Sequence, residues 1–116
     1  MITEQELKSQ CTPNVIKKMC VLTDYFYASN DKDCEQIIGD EQAFPLLIHR
    51  AVEGWNKEAH KDYSHIEIDN LSVMIVSHNG FSGKRYPEFK NYQPESLTAC
   101  ELACLHCLVE ILKEEV

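Results

Sequence analysis

Cys100, Cys104 and Cys107 are the residues of this chain whose type and spacing come nearest to a working set of ligands. They stand as C-x3-C-x2-C, and closely spaced thiolates hold iron–sulfur clusters or zinc. The second half, Cys104-Leu105-His106-Cys107, also has the spacing of a redox pair, whose thiol is activated where a helix begins. The other three cysteines, Cys11, Cys20 and Cys34, stand singly, 9 and 14 residues apart. Structural zinc sites draw on two close ligand pairs carried by turns, and these three offer none. His49, His60, His65, His78 and His106 each suit a general base beside a carboxylate, but no catalytic arrangement of them is visible along the chain.

The C-x3-C-x2-C spacing resembles the cluster motif of radical SAM enzymes. That resemblance implies three thiolates on an iron–sulfur cluster, with one iron left open for S-adenosylmethionine. In that family the motif lies in a loop early in a barrel. Here Cys107 is nine residues from the last residue, inside a helical pattern, and His106 stands where the family has an aromatic residue. Positions i, i+4 and i+7 share one face of a helix, and small thiols are common core fillers. Reduced, buried cysteines on a central helix are therefore the expectation. A metal- or thiol-dependent site at Cys100, Cys104 and Cys107 is the alternative.

Gly80-Phe81-Ser82-Gly83-Lys84-Arg85 has two residues between its glycines, where a phosphate-cradling Walker loop needs four. Lys84, Arg85 and Lys90 interleaved with Phe81, Tyr86, Phe89 and Tyr92 make the one local basic-aromatic stretch. Aromatic and arginine side chains anchor interfaces. Phe81, Lys84, Arg85, Tyr86 and Phe89 are thus the expected partner-binding residues, with alanine at Tyr86 and Phe89 expected to weaken binding without unfolding the chain.

The elements that must position these residues follow from periodicity. Thr3 and Glu6 have capping-box spacing for a short helix over 3–10. Thr12-Pro13 restarts the chain as N-cap and first helical residue, and Val15, Ile16, Met19, Leu22 and Phe26 continue one apolar face to about Phe26. The Ser29–Asp33 run reads as a solvated loop; Cys34–Ile38 fits either an edge strand or a helical turn. Phe44, Leu47, Ile48, Ala51, Val52 and Trp55 mark an amphipathic helix over about 41–58. His65–Ile68 and Leu71–Ser77 read as strands joined by a tight turn at Asp69-Asn70, with Ile66, Ile68, Leu71, Val73 and Ile75 facing the core. His78-Asn79-Gly80 is a turn signal, and a third strand falls in 81–93 with turns at Gly83 and Pro87. The last helix starts at Ser96 or Thr98 and runs to the C-terminus on a wide apolar stripe.

The sum is one α+β domain over residues 1–116: a small antiparallel sheet of about three strands packed with two or three helices, the C-terminal helix central. The chain has 116 residues, 44% hydrophobic and 26% charged, as in an ordinary globular domain. No stretch reaches the roughly 18 apolar residues of a membrane span. Residues 1–10 lack the basic start and apolar run of a secretory signal, so a cytoplasmic protein with reduced thiols is expected. The net charge of −8 is spread evenly, six basic and ten acidic residues in 1–60 against five and nine in 61–116. Neither half offers a basic face for nucleic acid or anionic membrane.

Thr12-Pro13-Asn14-Val15-Ile16, Ile48-His49-Arg50-Ala51-Val52-Glu53-Gly54-Trp55 and Tyr92-Gln93-Pro94-Glu95-Ser96-Leu97 give most of the chain its likeness. On these residues it resembles small α/β proteins of phages and prophages, a resemblance that implies no activity. No motif in the chain fixes a chemistry. The functional expectation is a non-enzymatic binding or accessory protein without a cofactor, acting through a protein partner or self-association.

Overall fold

The computed structural model describes residues 1–24, 26–59, 64–77 and 83–113. Ile2–Thr3 forms a short strand, β1, and Glu4–Ser9 the helix α1, capped by the Thr3 hydroxyl accepting from the Glu6 N–H. Helix α2, Pro13–Val21, starts at the expected Thr12 cap with Pro13 in the first turn. It stops well short of Phe26. The Thr23 hydroxyl donates to the Cys20 carbonyl and accepts from the Phe26 N–H, taking over helix-end groups and turning the chain away.

The polar run that reads as loop instead begins a helix, α3, Asp31–Gly39. Asn30 caps it by accepting from the Asp33 N–H at 2.9 Å, and Asp31 and Asp33 lie at its positive end. Helix α4, Ala43–Gly54, follows, and a five-residue π turn, Trp55–Ala59, extends it.

Strands β2, Ser64–Ile68, and β3, Val73–Ser77, pair antiparallel with Ile66 opposite Ile75 and Ile68 opposite Val73. Their connection is four residues, not two. Asp69 accepts from the N–H groups of Leu71 and Ser72 at 2.8 and 2.9 Å, which pulls Leu71 out of the strand. Leu71 is 60% and Ile68 48% exposed, so neither joins the core as the alternation suggests; Ile66 and Val73 do. Strand β4, Gly83–Arg85, pairs antiparallel with β3, and Gly83 is a strand residue opposite Val76 rather than a turn. After a 3-10 turn, Phe89–Asn91, strand β5, Tyr92–Gln93, pairs parallel with β1. The turn expected at His78-Asn79-Gly80 lies outside the described residues.

Helix α5, Ala99–Lys113, begins at Thr98 rather than Ser96. The capping box is reciprocal: Thr98 accepts from the Glu101 N–H at 3.1 Å, and Glu101 accepts from the Thr98 N–H at 2.8 Å. The helix is central, touching α1, α2, α4, β3 and β5. Leu102, Leu105, Leu108 and Leu112 are fully buried on it, each contributing about 1.5–3 kcal/mol of apolar burial. The result is an α+β fold, with α5 between a helical layer and one face of the β2–β3–β4 sheet.

Both edges of that sheet are blunted. Asn56, in the π turn, mimics a strand on the β2 side: its amide donates to the Ile66 carbonyl and accepts from the Ile66 N–H, at 2.9 and 2.7 Å. The β4 side carries Lys84 and Arg85, charges that discourage strand addition.

Candidate functional site

Cys104 and Cys107 sit in the core and Cys100 at its margin, as the helix-face reading requires. Burial pushes the Cys107 thiol up to about 12 and the Cys104 thiol higher still. Burial also raises Cys100, although its contact with the Cys104 thiol works the other way. Thiols held protonated among leucines are poor nucleophiles. Among the described residues, no three His, Cys, Asp or Glu side chains converge as a metal site. Cys11 and Cys20 are likewise raised by burial, to about 12 and about 11.

The basic-aromatic stretch splits into two sides. Tyr86 is only 3% exposed and Phe89 packs against the core, so their rings belong to the interior and not to an exposed binding edge. The reason is register. The Tyr86 N–H donates to the Val73 carbonyl at 2.9 Å, continuing the β4 alternation, and its ring falls on the side facing α5. Alanine at Tyr86 would therefore cost stability first. Lys84 and Arg85 remain exposed, each held by a carboxylate: Lys84 by Glu110 at 2.6 Å and Arg85 by Asp69 at 2.7 Å. Lys90 approaches Glu88 at 3.7 Å, so the stretch presents no uncompensated basic face. Phe81, His60 and His78 lie outside the described residues.

A polar network invisible in the sequence links these elements to α5. The Tyr92 hydroxyl is 2.8 Å from His106 Nδ1, and His106 Nε2 is 3.5 Å from Glu110. A neutral imidazole with its proton on Nε2 satisfies both contacts. Burial lowers the His106 pKa, although Glu110 opposes that. The Tyr86 hydroxyl lies within hydrogen-bond reach of Glu110 and Cys107, and its ring meets the His106 ring edge-on at 5.2 Å. This Tyr–His–Glu–Lys chain has the residue types of acid–base catalysis, but Tyr86 and Tyr92 are each 3% exposed. Solvent reaches the network from the His106 and Glu110 side, where those side chains are 18% and 28% exposed. The network acts as a polar strut between α5 and the strands, each member satisfied by the next.

The opposite side of the sheet is different. Alternation places His65, Glu67, Met74, Val76, Gly83 and Arg85 together on the face turned away from α5. Met74 and Val76 are half-buried in the middle, and no layer packs over them among the described residues. His65 and Glu67 pair along one side at 2.8 Å. On the other side Arg85 binds Asp69 and Ser72 and rests a guanidinium nitrogen 3.7 Å from the Met74 sulfur.

No described helix is long and apolar enough to cross a membrane. Comparison with protein-family models, with curated proteins and with solved structures finds no match to this chain.

Proposed function

We propose that the protein is a non-enzymatic binding or accessory protein, of the phage or prophage type its sequence resembles. It works reduced in the cytoplasm and holds a protein partner on the outer face of β2–β3–β4. One observation carries the reading. Val73-Met74-Ile75-Val76 is apolar at both alternating sets of positions, the pattern of a strand covered on two sides. Helix α5 packs on the Val73–Ile75 side, while Met74 and Val76 on the other side are only partly buried and rimmed by charge. An apolar centre within a polar rim is the anatomy of a recognition surface. The burial of Tyr86, Tyr92, Cys104 and Cys107 supports the non-enzymatic part of the reading.

The test is affinity capture from the native host with the wild-type chain and with Met74→Asp/Val76→Asp. A protein held by the first and lost by the second, at unchanged thermal midpoint of the bait, supports the reading. A protein held equally by both places recognition elsewhere.

A further inference from the structure

Resting on that reading and naming its partner, we infer that the outer face of β2–β3–β4 binds a second copy of this chain, the two sheets stacked about a two-fold axis parallel to β3. Two cross-strand rows lie on this face: His65–Val76–Gly83, and Glu67–Met74–Arg85. Each row crosses three strands spaced about 4.8 Å apart, and stacked sheets lie about 10 Å apart. A two-fold axis along β3 keeps each row at its own height and exchanges β2 with β4. Glu67 of one copy then lies over Arg85 of the other, and Arg85 over Glu67. Met74 meets Met74 and Val76 meets Val76 in the middle. His65, a large ring, lies over Gly83, the one position on the face without a side chain. Each off-axis contact appears twice and each residue on the axis meets its own copy, as an isologous interface requires.

The face therefore complements itself in charge, in shape and in apolar centre. Near-parallel stacking of this kind is a preferred way for two sheets to pack. The intrachain pairs support the arrangement. Asp69 grips one nitrogen of Arg85, and His65 grips one oxygen of Glu67, at 2.7 and 2.8 Å. Each charged group is thereby held in place with donor or acceptor capacity left for a second partner.

The sheet is small. Three strands of five residues at most present about 250 Å² of plane per copy, below what a permanent dimer buries, so the association is weak and reversible.

Sedimentation equilibrium on the full chain reads it directly. The mean mass should climb from one chain towards two between about 10 μM and 1 mM, where contacts this small associate. Glu67→Arg and Arg85→Glu alone should each weaken dimerisation about tenfold, and the double variant should recover to within about threefold of wild type. Arg85→Glu also removes the contact to Asp69, so Met74→Lys, which leaves that pair intact, serves as the second probe and should stay monomeric. A wild-type mass independent of concentration up to about 1 mM overturns the inference. So does a Met74→Lys chain that dimerises like wild type, or a double variant no tighter than the single ones. A chain that stays single yet captures a different protein through Met74 and Val76 overturns self-association and leaves the binding reading standing. A chain that dimerises as expected supports the inference even if its captured protein ignores the face variants, an outcome that counts only against the broader reading.

Discussion

Cysteine behaves in this protein as a small hydrophobe, and the same three residues would mean something else on a loop. What decides is the neighbourhood: Cys107 is fully buried beside Tyr86, and Cys104 lies within the same leucine-lined core. Serine at either position puts a hydroxyl where it finds no water. Cys104→Ser and Cys107→Ser should each cost about 1–3 kcal/mol in urea denaturation. Cys100→Ser, at the margin of the core, should cost less than about 1 kcal/mol. Equal losses at all three positions, or none, would contradict the core reading. The C-x3-C-x2-C spacing was fully legible in the chain, and so was its placement on a buried helix face. His106, between Cys104 and Cys107, was not legible as a strut, because its partner Tyr92 comes from another element 14 residues away.

Elements are most legible in the sequence where one periodicity runs unbroken, as in α4 and α5, and least where a side chain takes over the backbone. Thr23 ends α2, Asn30 starts α3 and Asp69 widens the β2–β3 turn, each by a side-chain hydrogen bond that apolar periodicity does not register. The packing of α2 on α4 depends on a further local feature. Gly54 ends α4 where it meets the Leu22 carbonyl, and a Cβ there would collide with that oxygen and its carbon. Alanine is the better helix former by about 1 kcal/mol, yet Gly54→Ala should destabilise the protein by about 1–3 kcal/mol, because the two backbones must move apart. A thermal midpoint equal to or above wild type would show that α2 can shift without loss.

Across the whole molecule, one buried carboxylate joins the start of α1 to the segment that leads into α5. Glu4, 1% exposed at the start of α1, accepts from the N–H groups of Glu95, Ser96 and Leu97 and from the Ser96 hydroxyl, and pairs with Lys8 at 2.9 Å. The parallel β1–β5 bridge lies alongside. Burial alone would raise the Glu4 pKa; the hydrogen bonds from Ser96, Leu97, Glu95 and Lys8 outweigh it and bring it to about 2 from an ordinary 4.5. The folded-state value lies below the unfolded one. The clasp therefore contributes fully above pH 4.5 and is lost as pH falls towards 2. Its charge-dependent part is on the order of 3 kcal/mol. Glu4→Gln should be less stable than wild type by a similar amount at pH 7 in urea denaturation, and the gap should narrow steadily below pH 4.5. A gap independent of pH would assign the loss to shape and not to charge.

Composition and periodicity were enough for an α+β chain with a small antiparallel sheet and a central C-terminal helix, because burial of a wide apolar stripe is written locally in the residues that form it. The same local signal placed Cys104 and Cys107 inside. It also put Tyr86 and Phe89 on an exposed edge, because an aromatic residue beside lysine and arginine looks alike whether its ring points in or out. Strand register decides that, and register is a property of paired strands. Only the tertiary structure placed Glu4 among three backbone N–H groups more than ninety residues away and set His106 between Tyr92 and Glu110. Only there do Glu67, Met74 and Arg85 become one row on the open face of the sheet. Such groupings join residues that are distant in the chain, and no local pattern carries them.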